Sequence, residues 1–224
     1  FSIVTPIYLG EDHEKERRLK LFPKTIESIK NQTYDKEKIE YIIVNDGSGI
    51  PITIPNYPWI KIIDQQNLNR IVSFETGMRE SKGEIIMFLD SDDEYDPTYL
   101  EEVDKAFKKY PKYKILQFGC SFKNREGEDR GTREPYEFKK RKIGFEVFGG
   151  GKIVNGTFPF KREVYEDLGG YPPYEIKDID CSEIGYGEGP RSLFMTSPYD
   201  FSAYAQMQFP EIRPYFQEKH PDHP

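Results

Sequence analysis

The first 122 residues alternate short apolar runs with segments of helical period, and few architectures accept that order. "FSIV" (1–4), "IEYIIV" (39–44), "WIKIID" (59–64), "IIMFL" (85–89) and "YKILQFGCSF" (113–122) have the length and side-chain content of strands. Between them, "LFPKTIESIKNQ" places Phe22, Ile26 and Ile29 at i, i+4 and i+7, with Pro23 suited to a first helical turn. "IVSFETGMRESKG" puts Ile71, Phe74 and Met78 on one face, with Gly83 as the stop. A third helix follows Asp96 as its cap and Pro97 at its first position. Its buried stripe is Leu100, Val103 and Phe107, and its Glu101, Glu102, Lys108 and Lys109 complement the helix dipole. Strands that are apolar on both faces and joined through helices predict an α/β fold, a mostly parallel sheet flanked by helices on both faces. Ligands of such sheets collect at the carboxyl ends of the strands.

Two polar stretches fall at that edge. "NDGSG" follows the second strand, and "DSDDEYDP" follows the fourth. The latter holds Asp90, Asp92, Asp93, Glu94 and Asp96, whose mutual repulsion calls for a counter-charge. Hard divalent cations prefer carboxylate oxygens. Alternate residues of a strand end share a face, so Asp90 and Asp92 can address one ion. Mg²⁺ usually takes few protein carboxylates and completes its shell with phosphate oxygens and water, which suggests a metal–diphosphate site. Asp93 and Glu94 fit a solvated loop. An EF-hand is excluded because Tyr95 stands where the calcium loop needs Gly, and a strand leads in instead of a helix.

The net charge of −7 disfavours nucleic acid as a partner. Against that trend runs Lys139-Lys140-Arg141-Lys142, a solvated loop or a contact with an anionic membrane or polymer. Cys120 and Cys181 have no metal-ligand spacing and read as thiols of a reducing compartment, hence a cytoplasmic protein, with peripheral membrane contact as the alternative. No apolar stretch reaches the length of a membrane span. The chain opens on a strand without an initiator Met, so a fragment of a longer chain is expected.

Taken together, "FSIVTPIY", "TIESIKNQTY", "EYIIVNDGS", "GEIIMFLDSDDEYDP" and "GTFPFKREVYEDLGGYP" resemble the inverting glycosyltransferases of family 2, which have the GT-A fold. The resemblance spans roughly positions 1–180. It implies one GT-A domain over 1–224, with a nucleotide-sugar-binding half at 1–120 and an acceptor-side half at 121–224. By resemblance, Thr5, Pro6 and Tyr8 line the nucleotide pocket, and Asp46 accepts the uracil N3–H. The other reading of Asp46 is a plain Asx-type turn. Asp90 and Asp92 stand for the DXD motif, Asp90 near the ribose or donor sugar and Asp92 on Mn²⁺ or Mg²⁺. Many relatives carry Ala-Arg-Asn where this chain has Ser73-Phe74-Glu75, so Arg70 is the substitute for the missing basic contact, or else a solvated helix-start residue. After Gly169-Gly170-Tyr171 the candidate general bases are Asp180, Glu183 and Asp178, in that order, and His220 could complete a metal shell.

The expected activity is therefore a metal-dependent, inverting transfer from a UDP-sugar to a hydroxyl of a glycan or glycoconjugate. Tyr171, Tyr174 and Trp59 offer sugar-stacking faces or core packing. A sugar-phosphate nucleotidyltransferase ranks second, because "TPIYLGEDHEKERR" lacks a Gly-rich loop for a triphosphate. A glycan- or nucleotide-binding module without turnover is the non-enzymatic rival.

Overall fold

The computed structural model describes residues 1–10, 14–54, 57–68, 70–124, 127–133 and 156–167. A five-stranded sheet forms its centre: β1 (Ser2–Ile7), β2 (Glu40–Asp46), β3 (Ile60–Gln65), β4 (Ile85–Phe88) and β7 (Phe160–Lys161). The order across the sheet is β3-β2-β1-β4-β7. The first four strands are parallel and β7 is antiparallel to β4. β1 is buried along its whole length, its polar Ser2 and Thr5 included, as a central strand covered on both faces requires. Edge strand β3 is half-exposed and carries Lys61 on its open side, a common protection for an unpaired edge.

Three helices cover the sheet: α1 (Lys15–Lys30), α2 (Arg70–Glu80) and α3 (Tyr99–Lys109). The crossover β1–α1–β2 moves along the sheet in one direction and β3–α2–β4 returns in the other. Right-handed crossovers therefore put α1 and α2 on opposite faces. α3 joins α1 through buried Gln32, whose amide donates to the Asp96 carbonyl at 2.7 Å and accepts from the Leu100 N–H at 3.0 Å. Between α2 and the sheet lies an aromatic ladder. Phe74 meets Phe88 at 4.4 Å between ring centroids, and Phe88 meets Phe160 at 5.5 Å. Each such pair adds about 0.5–1.5 kcal/mol beyond its area burial. The architecture is the expected α/β one, a mostly parallel sheet with helices on both faces.

Backbone contacts divide the chain into two units. The first, residues 1–117 with 158–166, holds the sheet. In the other, β5 (Cys120–Lys123) pairs antiparallel with β6 (Asp129–Arg133).

Several sequence expectations change. The fifth apolar run does not extend the main sheet as a strand. Ile115 makes one bridge to Phe160, while residues 120–123 pair in the separate hairpin, and the fifth place in the sheet goes to two-residue β7. Short α4 (Arg162–Asp167) follows at once. Arg162 pins it by donating to the Gly83 carbonyl and to Ser81 Oγ, both at 2.8 Å. Helix α1 starts at Lys15, so Pro23 is inside it and not in its first turn. Pro23 faces solvent, where the ring and the missing donor disturb the least packing. Asp96 does receive the Thr98 N–H at 3.1 Å, but regular helix begins only at Tyr99. α2 ends at Glu80, three residues before Gly83. Gly83 serves a close approach instead, since a Cβ there would sit 2.6 Å from the Phe1 and Ser2 backbone.

Gly77, within α2, has the same kind of role. A Cβ on it would lie 2.2 Å from Val4 Cγ1, and Val4 is fully buried with no room to yield. Gly77→Ala is expected to lose about 1–3 kcal/mol, the usual cost of overpacking, read from urea denaturation. A loss below ~0.5 kcal/mol would mean that α2 withdraws from β1 freely.

Candidate functional site

The carboxyl ends of β1 to β4 lie along one edge of the sheet. β1 and β4 are neighbours, and the chain leaves them in opposite directions. That is the topological switch point, where such sheets open a crevice.

The "NDGSG" turn builds one wall by tying three strand ends together. Asn45 accepts the Ser48 N–H at 3.2 Å and donates to Asp64 of β3 at 2.7 Å. Ser48 Oγ accepts the Leu9 N–H beyond β1 at 2.9 Å. The Asx-type contact of this turn thus belongs to Asn45, and Asp46 is turned towards the loop after β3. Asp46 Oδ1 accepts from Gln65 Nε2 at 2.8 Å and from the Leu68 N–H at 3.0 Å. Gly47 makes the turn possible. Its φ is +72°, and a Cβ would fall 2.5 Å from the Asn67 backbone nitrogen.

Asp46 is 5% exposed, so its carboxylate is structural before it meets any ligand. A carboxylate has about four lone-pair positions, enough to hold the loop and still accept from a base. Asp46→Ala is expected to lower stability by about 1.5–3 kcal/mol even without ligand, because two donors lose a charged acceptor. Chemical denaturation of the unliganded variant checks this, and an unchanged midpoint would remove the anchoring role.

On β1, Thr5 and Pro6 are buried. Thr5 Oγ1 accepts from the Tyr41 hydroxyl at 3.1 Å, inside the core. Tyr8 follows the strand end. Its ring covers Gly10, where a Cβ would come within 2.0 Å, and the Arg18 guanidinium stands 5.8 Å from its centroid.

The acidic motif forms the opposite wall. β4 ends at Phe88, so residues 90–93 form a turn, with the Asp93 N–H donating to the Asp90 carbonyl at 3.1 Å. The alternation expected of a strand end does not apply to Asp90 and Asp92. Instead the loop is fastened to α1. Thr25 Oγ1 donates to the Ser91 carbonyl at 3.0 Å, and Ser28 Oγ accepts the Tyr95 N–H at 3.1 Å. The Tyr95 hydroxyl closes the loop on the Phe88 carbonyl at 2.8 Å.

Two arginines counter the carboxylates. Arg70, first residue of α2, is ion-paired with Asp90 and stands over the Phe74 ring at 5.4 Å. Arg17 on α1 reaches Asp92 at 2.6 Å. Burial raises the Asp90 carboxyl above the usual range, against the opposing pull of Arg70. Asp93 is exposed on the turn, and desolvation by the protein around it, ahead of repulsion from Asp90 and Asp92, raises its carboxyl to about 7. Among the described residues, no group of three or more His, Cys, Asp or Glu side chains is arranged to enclose an ion. The donor set still fits Mn²⁺ or Mg²⁺ beside a diphosphate: two hard carboxylates held on one short turn, with phosphate oxygens and water for the remaining positions.

The segment in place of Ala-Arg-Asn is committed to packing. Ser73 accepts from Gln65 at 3.2 Å, Phe74 joins the aromatic ladder, and Glu75 accepts the Tyr165 hydroxyl at 2.8 Å. Trp59 precedes β3 at its amino end, away from the crevice, and stacks between Tyr57 and Tyr41 at 5.2 and 6.4 Å. That is its packing role, and the sugar-stacking one does not apply. Asp178, Asp180, Glu183, His220, Tyr171, Tyr174 and the run Lys139–Lys142 lie outside the described residues. Arg17 has no signal in the sequence, because it sits in a charged stretch without periodicity. Gln65 could have been found as the last residue of the third strand. No helix among the described residues is long and apolar enough to cross a membrane.

Residues 2–169 match the family model for glycosyl transferase family 2. EpsH of Bacillus subtilis is 39% identical over 84 residues, 35% of this chain and 24% of EpsH. An uncharacterized glycosyltransferase of Haemophilus influenzae is 28% identical over 176 residues, 75% of this chain and 55% of its own length. The chain therefore spans about a quarter to a half of these relatives. Among solved structures, Staphylococcus aureus TarS 1–349 in complex with UDP-GlcNAc superposes with a TM-score of 0.54 at 16% identity, over 80% of this chain and 50% of that one.

Proposed function

The chain belongs to glycosyl transferase family 2, and from that premise we propose that it transfers a sugar from a UDP-sugar to a hydroxyl of a glycan-type acceptor, with a divalent cation and with inversion at the anomeric carbon. One observation carries this reading: Asp46, Arg70, Asp90 and Asp92, drawn from two different strand ends and a helix start, lie along the carboxyl edge of one parallel sheet. TarS, of similar fold, has been solved with UDP and with UDP-GlcNAc, which supports a uridine donor here.

In this reading the Asp46 carboxylate accepts the uracil N3–H while it keeps Gln65 and Leu68 in place. Thr5, Pro6 and Tyr8 bound the pocket from the β1 side. Arg70 turns its guanidinium to the diphosphate, whose paired oxygens suit the planar fork. Asp90 holds the ribose or donor sugar. Asp92, with His220 as a further donor, would hold Mn²⁺ or Mg²⁺. When bound, that ion supplies positive charge beside the diphosphate as it departs. Asp180 accepts the proton of the acceptor hydroxyl, with Glu183 and then Asp178 as the alternatives. The acceptor oxygen forms its bond to the anomeric carbon as the bond to the diphosphate breaks on the opposite side, which inverts the configuration.

A thermal-shift panel of UDP-, GDP- and dTDP-sugars with and without Mn²⁺, joined to an assay for released UDP, tests the proposal. Stabilisation by UDP-sugars with Mn²⁺, together with UDP release, is the expected result. Stabilisation without UDP release, with acceptor present, would point to a binding module. Equal stabilisation by all three nucleotides would refute the uridine assignment.

A further inference from the structure

The Arg17–Asp92 pair is not a chance meeting of two long surface side chains. Asp92 sits on a turn that α1 grips from below through the buried Thr25–Ser91 contact, two helical turns from Arg17, about 12 Å along the axis. Helix and turn thus hold both partners on one framework. The same Arg17 nitrogen also stands 3.3 Å from Glu14, so the guanidinium has a second carboxylate to steady it. The pair is open to solvent, with 40% of the Arg17 side chain and 28% of the Asp92 side chain exposed. A soluble ligand can therefore reach it. Charge accounts for its presence. With no ligand, Asp92 pairs with Arg17 and Asp90 with Arg70. A divalent ion and a doubly charged diphosphate together bring no net charge, so both sets of partners can be exchanged without leaving any group uncompensated.

We propose that Arg17 is the counter-ion that Asp92 gives up when a divalent cation binds, and that the released guanidinium then passes to the donor's diphosphate. This rests on the donor site described above and adds a second arginine to it, from the face of the sheet opposite Arg70. Two consequences have opposite signs. Without nucleotide, Arg17 competes with the ion for Asp92 and weakens its binding. With nucleotide, Arg17 supplies a charge-assisted contact to phosphate and strengthens the complex.

The test is Mn²⁺ titration followed by electron paramagnetic resonance, and calorimetric titration of UDP at saturating Mn²⁺, on wild type, Arg17→Gln and Arg17→Lys. Arg17→Gln is expected to bind Mn²⁺ alone at least threefold more tightly and UDP with Mn²⁺ about tenfold more weakly. Arg17→Lys is expected to recover part of the UDP affinity, because it keeps the charge and loses the fork. Arg17 is exposed on a helix, and far-UV circular dichroism of both variants confirms folding. If either shift is missing in Arg17→Gln while wild type binds UDP with Mn²⁺, the exchange is overturned and the donor site stands. If wild type binds neither, the donor site falls and the exchange with it.

Discussion

Asp180→Asn is expected to leave UDP affinity unchanged and to slow sugar transfer by about a hundredfold or more, the usual scale of general-base catalysis. An inverting displacement needs a proton acceptor on the side of the sugar opposite the leaving diphosphate. In the proposed reading Asp90 and Asp92 serve the diphosphate side, and each has an arginine as its partner. By resemblance, the carboxylates that follow Gly169-Gly170-Tyr171 would take the place of the family's base. Asp180 lies between Ile179 and Cys181, and an apolar setting raises the basicity of a carboxylate. The separation of effects is the diagnostic feature. A base acts on the acceptor, so donor affinity in calorimetry should hold while the rate falls. Near-normal transfer by Asp180→Asn, with loss in Glu183→Gln, would move the role to Glu183. Full activity in both would remove the segment from the chemistry.

Asp92→Asn is expected to weaken UDP binding in Mn²⁺ by at least about tenfold, roughly 1.4 kcal/mol. Asn keeps the shape of Asp and loses the charge that holds an ion. Asp93→Asn should matter less, because partial desolvation and its acidic neighbours already raise that carboxyl to about 7 and make it a poorer anion. The ratio between the two variants, measured by calorimetry under the same conditions, checks the assignment. Equal losses would spread the ion's charge over the whole cluster, and no loss in Asp92→Asn would take the ion away from it.

The parts of the fold that were legible in the sequence are those where burial dictates the residue type. Ile3, Val4, Tyr41, Ile42, Ile86 and Phe88 are all almost fully buried, and their runs mark β1, β2 and β4 directly. Leu100, Val103 and Phe107 give α3 its stripe, and all three are buried. The start of α1 escaped because residues 15–20 are mostly charged, so no apolar period announces the helix. The bounds of β7 were not legible because two residues cannot show a period, and its place is set by Arg162 and by pairing with β4. The run 113–122 looks like a strand by composition, but its pairing is decided by long-range partners.

The candidate site divides in the same way. That Asp46, Asp90 and Asp92 stand at the carboxyl edge was legible because they follow apolar strand runs, and the rule for strand ends names that edge. What the sequence could not display is which charge meets which. Arg17 and Asp92 are far apart in the chain, and their pairing depends on how α1 seats against the loop after β4. Likewise, Asn45 and Asp46 are equivalent turn formers on paper. The register of β2 with β3 separates them by setting Asn45 against Asp64 and Asp46 against Gln65.

Calorimetric titration of UDP into the wild-type protein, first in Mn²⁺ and then in EDTA, bears most directly on a metal–diphosphate site at the carboxyl edge of the sheet. Binding in Mn²⁺ that weakens at least about tenfold in EDTA, equivalent to roughly 1.4 kcal/mol, is the predicted result. Equal affinity in both, or no binding in either, would contradict it.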